Sequence, residues 1–146
     1  MKKYKKGYTQ GVFDMFHIGH LNLINNAKKQ CEQLVVGVNA DDLVHSYKNK
    51  FPVVAEEERR TIAENIKSVD EAVIAHTLDK VVQLKNIGYD AIFIGDDWKG
   101  DARWEQTIKD LAEYGVDVVF LPRTKGISST SMRVVKDEVV KDGNVE

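Results

Sequence analysis

The sequence predicts a doubly wound α/β domain: a mostly parallel five-stranded sheet with helices on both faces. Three observations lead there. Segments of strand and helix character alternate along the whole 146-residue chain. The strand segments, Leu34–Val38 and Ala91–Ile94 above all, are short apolar runs without polar alternation, as strands covered on both faces require. The three most unusual loops, Gly11–His20, Gly95–Gly100 and Arg123–Thr130, all fall at the carboxyl ends of strands, where such sheets take their ligands.

The elements follow in order. Gly7–Phe13 reads as a first strand and Leu21–Gln30 as a helix, with His20 near its first turn and Cys31 at its end as a packed thiol. Leu34–Val38 is the second strand, Asp41–Tyr47 one or two helical turns, and Lys48–Val54 a basic loop that Pro52 keeps out of helix or central strand. Ala55–Lys67 begins with three glutamates, which suit a helix N-terminus, and carries an apolar face through Ile62 and Ile66. Val73–Ala75 is a third strand, and Leu78–Ile87 a helix stopped by Gly88. Ala91–Ile94 is the fourth strand, Arg103–Tyr114 a helix closed by Gly115, and Val116–Leu121 the last strand. Pro122–Ile127 is a basic loop, and Ser128-Ser129-Thr130 offers capping hydroxyls to a final helix running to about Val140. The alternation implies right-handed crossovers and a Rossmann-like arrangement.

Composition narrows the function. The chain has room for one domain, residues 1–146, and not for two ordinary ones. Its 21 Lys and Arg against 23 Asp and Glu give a net charge of −2, which argues against sequence-independent nucleic-acid binding. One cysteine excludes an intramolecular disulfide and a zinc knuckle, and a reducing cytoplasm is the expected compartment. The basic Met1–Lys6 is followed by no apolar signal-peptide core, and no apolar run approaches the roughly 20 residues of a membrane span.

Gly11-Val12-Phe13-Asp14-Met15-Phe16-His17-Ile18-Gly19-His20 concentrates the chemistry. A helix start presents unpaired N–H groups and a partial positive charge, so an anion is its natural guest, and Gly11 and Gly19 let backbone come close. Neither G-x-x-x-x-G-K-[ST] nor G-x-G-x-x-G is present. His17 and His20 have no third Cys or His at ligand spacing, and His45 and His76 are expected at the surface, so no protein metal site is expected. Asp14 alone reads best as a brace for its loop, Trp104 as packing, and Trp98 equally as core or as a binding surface.

H-x-G-H near the N-terminus together with the late R-T-x-G-I-S-S-T resembles the H-x-G-H nucleotidyltransferases, and among them the cytidylyltransferases, from about Gly11 to Arg133. G-V-F-D-M-F-H-I-G-H, G-D-D-W-K-G and R-T-K-G-I-S-S-T are most similar to the glycerol-phosphate cytidylyltransferase family; L-V-V-G-V-N-A-D-D also resembles the choline-phosphate enzymes. The resemblance implies transfer of a cytidylyl group from CTP to a small alcohol phosphate, most simply glycerol 3-phosphate. The products would be CDP-glycerol, a cell-wall or capsule precursor, and pyrophosphate; Mg2+ would come with the nucleotide, and the enzyme would be a homodimer. It further implies that His17, His20, Lys48 and Arg123 are catalytic. Val12, Phe13, Gly19, Asp97, Trp98, Thr124, Ile127, Ser128, Ser129 and Arg133 would join Arg123 in binding nucleotide. Asp14, Lys50, Arg59 and Lys67 would bind acceptor, with Lys67 standing where the family tends to carry Arg. The register at Lys48 and Lys50 is loose by one residue, and I-S-S-T-S-M-R also resembles adenylyltransferases, so another phosphate acceptor or an adenylyl donor stays open. A nucleotide sensor without turnover is the alternative outside enzymes.

The chemistry suits this residue set. A phosphate monoester, with a second pKa of about 6, is mostly dianionic at neutral pH and attacks phosphorus without a general base. The protein must align two anions and stabilise charge on departing pyrophosphate, which is work for His, Lys, Arg and helix N-termini.

Overall fold

The computed structural model describes residues 2–124. Five strands, β1 (Tyr4–Gly11), β2 (Cys31–Asn39), β3 (Glu71–Ala75), β4 (Ala91–Gly95) and β5 (Asp117–Leu121), form one all-parallel sheet in the order β3-β2-β1-β4-β5. The helices are α1 (Ile18–Lys28), α2 (Asp41–Lys48), α3 (Glu56–Glu64), α4 (Lys80–Ile87) and α5 (Ala102–Ala112). Ile24 and Ala27 of α1 and Ala63 of α3 pack with Val36, Val38 and Phe93 on one face. Leu111 of α5 and the apolar side of α4 (Val81, Leu84, Ile87) cover Tyr8, Val35 and Ile92 on the other. Each such Leu, Ile, Val or Phe, fully buried, contributes about 1.5–3 kcal/mol by leaving water. The Rossmann-like fold read from the alternation is therefore the one adopted.

Boundaries moved where local signals were weak. β1 starts at Tyr4 and stops at Gly11, because Phe13 and Met15 take left-handed φ of 52° and 50° that no strand tolerates. α1 begins three residues earlier than its apolar periodicity suggested, and Cys31 opens β2 instead of ending the helix. The Cys31 thiol is buried, which pushes its pKa up. Gly37 is required by close approach: a Cβ there would lie 2.2 Å from the Tyr8 hydroxyl, inside a buried ring packed on Tyr89. Among the described residues no helix is long and apolar enough to cross a membrane. The expected final helix lies outside the described residues.

Strand order reverses at β1, which has β2 on one side and β4 on the other. The β1–β2 ladder runs to Gly11↔Val38, but β1 and β4 pair only at Gly7↔Ala91 and Tyr8↔Ile92. Beyond that the strands part, with the Thr9 hydroxyl donating to the Phe93 carbonyl at 2.9 Å. A crevice therefore opens at the carboxyl ends, at the switch point.

Candidate active site

The crevice is a cleft of about 630 Å³ lined by the histidine loop, the loop after α2, the starts of α4 and α5, and Pro122–Thr124. At its centre the two histidines form a capping box made of imidazoles. His17 is the N-cap of α1, in extended backbone at φ −139°, and its Nδ1 accepts the Gly19 N–H at 3.0 Å. His20, at the third helical position, returns the bond: its Nδ1 accepts the His17 N–H at 3.2 Å. Two of the helix's orphan donors are thus satisfied. An imidazole nitrogen that accepts carries no proton, so each neutral ring holds its proton on Nε2. The rings stack at 3.7 Å, and His17 Nε2 is buried with no hydrogen-bond partner among the described residues.

Both rings are held neutral. Burial, then the repulsion a second imidazolium would meet beside His17, lowers the His20 pKa to about 4, with Asp14 acting the other way. Burial, then Arg123, lowers that of His17. The motif therefore offers neutral N–H donors to an anion.

The basic loop is locked onto the histidine loop by two residues that the sequence reading assigned to acceptor binding. Asp14 is 3% exposed, and its two carboxylate oxygens accept the N–H groups of Val53 and Val54 at 2.8 and 2.9 Å. This is the bracing role its loop position suggested, reached across 39 and 40 residues. Arg59 is 1% exposed. Its guanidinium donates to the carbonyls of Val54, Val12 and Asn39 at 2.8, 2.8 and 2.7 Å and pairs with Asp41 at 2.6 Å. It joins the histidine loop, the end of β2, the start of α2 and the basic loop, and it does not line the cleft. Lys67, also expected at the acceptor, is exposed just before β3, at the amino edge of the sheet and away from the cleft of this chain.

Other expected residues do meet at the cleft. Val12, Phe13, Gly19, Lys48, Lys50, Asp97, Trp98, Arg123 and Thr124 all line it. Trp98 is 42% exposed, so it is surface and not core. Arg123 pairs with Asp97 at 3.5 Å, and Thr124 accepts a 2.9 Å bond from Asn22 of α1, which ties that loop to the histidine helix. Ile127, Ser128, Ser129 and Arg133 lie outside the described residues. His45 and His76 are exposed as expected, His45 against the Phe51 ring.

The sequence reading missed Lys80, Arg103, Gln10, Asn39 and Tyr47, all of which line the cleft. Lys80 opens α4 after its N-cap Asp79, sits over the Trp104 ring at 5.4 Å, and has its pKa lowered to about 8 by burial. Arg103 lowers it further, and Asp79 opposes both. Applying the carboxyl-end rule to the loop after β3 would have found it.

A family model described as cytidylyltransferase-like matches residues 8–135. The chain is 36% identical over 130 residues to a glycerol-3-phosphate cytidylyltransferase of Bacillus spizizenii, covering 88% of this chain and 95% of that one. It is 35% identical over 136 residues to the enzyme of the same name from Bacillus subtilis, covering 92% and 97%. Among solved structures, a lipopolysaccharide core biosynthesis protein from Thermoplasma volcanium superposes with a TM-score of 0.70 at 27% identity, over 85% of this chain and 99% of that one.

Proposed function

We infer the reaction from the family to which this chain belongs, the cytidylyltransferase-like family. The enzyme transfers a cytidylyl group from CTP to glycerol 3-phosphate. A phosphate oxygen of the acceptor bonds to the α-phosphorus of CTP, the bond from that phosphorus to the bridging oxygen breaks, and pyrophosphate leaves with the electron pair. CDP-glycerol remains.

The observation that carries this reading is the reciprocal imidazole cap. It commits both Nδ1 atoms to backbone and leaves His17 Nε2–H buried without a partner among the described residues, a donor held ready for a phosphate oxygen. Lys48, Lys50 and Arg123 add charge around the phosphates, and Asp97, Trp98 and Thr124 face the nucleoside, with Ile127, Ser128, Ser129 and Arg133 as further nucleotide-binding residues. Lys80 takes the acceptor role that Arg59 and Lys67 leave open. Mg2+ would come with the triphosphate and supply further charge neutralisation; among the described residues no cluster of three His, Cys, Asp or Glu is placed to hold a metal of the protein's own. The reading includes a homodimer, for which light scattering should give twice the chain mass.

The test is pyrophosphate release from each nucleoside triphosphate paired with glycerol 3-phosphate, glycerol 2-phosphate, phosphocholine and phosphoethanolamine. CTP with glycerol 3-phosphate should dominate. Release with ATP and none with CTP would overturn the donor, and tight CTP binding by calorimetry with no turnover would make the protein a sensor.

A further inference from the structure

Four side chains carry a directed hydrogen-bond relay from the core to the acceptor side of the cleft. The Thr77 carbonyl oxygen can only accept, and it takes bonds from Gln83 Nε2 at 3.1 Å and Gln10 Nε2 at 3.0 Å. That fixes which end of the Gln10 amide is nitrogen. The same Nε2 donates to Asn39 Oδ1 at 2.8 Å, and Gln10 Oε1 is left to accept the Tyr8 hydroxyl at 2.8 Å. Asn39 is 4% exposed, so its amide cannot turn to water, and with its oxygen facing Gln10 its Nδ2 donates to the Tyr47 hydroxyl oxygen at 3.0 Å. A hydroxyl oxygen that accepts from one side keeps its own proton to give elsewhere. Tyr47 is 42% exposed and lines the cleft beside Lys48, and its O–H has no acceptor among the described residues.

We propose that Tyr47 is a specificity residue whose hydroxyl donates to a carbinol oxygen of the acceptor alcohol, with Asn39 and Gln10 as positioning residues that force it to be a donor. This deepens the function proposed above and rests on it. The neutral end of a neutral relay suits a hydroxyl oxygen; the acceptor's phosphate has Lys48, Lys50 and Lys80 on the same cleft. Tyr47 lies on α2 at the end of β2, across β1 from Asp97 and Trp98 at the end of β4, so the two substrates enter from opposite sides of the switch point.

The experiment compares kcat/KM for glycerol 3-phosphate with that for its two deoxy analogues, propane-1,2-diol 1-phosphate and propane-1,3-diol phosphate, at saturating CTP. The wild type should favour glycerol 3-phosphate over one analogue by about tenfold, the scale of one net hydrogen bond. Tyr47→Phe should bring that ratio within twofold while KM for CTP stays within twofold. Asn39→Asp offers an oxygen where Nδ2 stood, turns the Tyr47 proton inward, and should collapse the ratio equally; its added charge acts on all acceptors alike and cancels. If the wild type turns over glycerol 3-phosphate but does not discriminate, or Tyr47→Phe still does, the relay assignment is overturned alone. If the wild type makes no product from CTP and glycerol 3-phosphate, the function itself falls and the proposal with it.

Discussion

Replacing Arg59 tests whether it is a clamp or a ligand for substrate. Arg59→Met keeps an apolar stem and deletes the fork that reaches three carbonyls and Asp41. A buried carbonyl left without a donor costs about 1–3 kcal/mol. The bond to Asn39 O is fully buried, whereas those to Val54 and Val12 are partly buried and water can recover some of their loss. The Asp41 side chain is 29% exposed, so its ion pair is discounted for solvent. The sum is a loss of about 3–5 kcal/mol, the usual cost of removing one partner of a buried pair. With a urea slope of about 2 kcal/mol per M, the midpoint should fall by about 2 M. Arg59→Lys, which keeps charge but not the fork, should lie between the two. In both variants kcat should fall for every acceptor, since the basic loop loses its register with the histidines. A midpoint within about 0.5 M of wild type, about 1 kcal/mol at that slope, together with a rise confined to the acceptor KM, would refute the reasoning and return Arg59 to the substrate.

Three further outcomes are expected. His17→Asn keeps a capping acceptor and removes the imidazole donor, so stability should hold within about 1 kcal/mol while kcat drops at least about a hundredfold; denaturation and steady-state kinetics check both. For His20 the folded pKa of about 4 lies below the ordinary 6.5 of histidine, so between those values the unfolded chain binds the extra proton. Stability from this residue is therefore complete above pH 6.5 and declines toward pH 4, and His20→Gln should flatten thermal stability across that window. Lys80, with a pKa of about 8, is a cation only below that value; kcat/KM for acceptor should fall as pH rises through 8, and Lys80→Arg should abolish the fall.

Local pattern was enough for part of this molecule. Alternating strand and helix segments, and strands apolar on both faces, dictate a parallel sheet because crossovers must cover both sides with helix. The H-x-G-H segment announced an anion site because helix starts leave N–H groups open, which is chemistry within four residues; that the two histidines themselves cap that start is what the structure added. Strand ends then placed Asp97, Trp98 and Arg123 on one edge, whereas Lys48 came only from the family resemblance.

What the chain could not show in one dimension was which polar side chains turn inward. Arg59 and Arg60 are neighbours of one residue type, yet Arg59 is sealed among three carbonyls and Arg60 pairs with Glu57 and Glu64 on the same helix face toward solvent. Only the packing of α3 against β2 and β3 separates them. Asp14 found its partners 39 and 40 residues away, and Tyr47 acquired its direction from Thr77 through two amides on adjacent strands. Sequence by itself determined the fold and the reacting edge, because periodicity and helix-start chemistry are local. The tertiary structure decided which charges hold the site together and which meet substrate, because burial and hydrogen-bond direction are set by strands that pair across the chain.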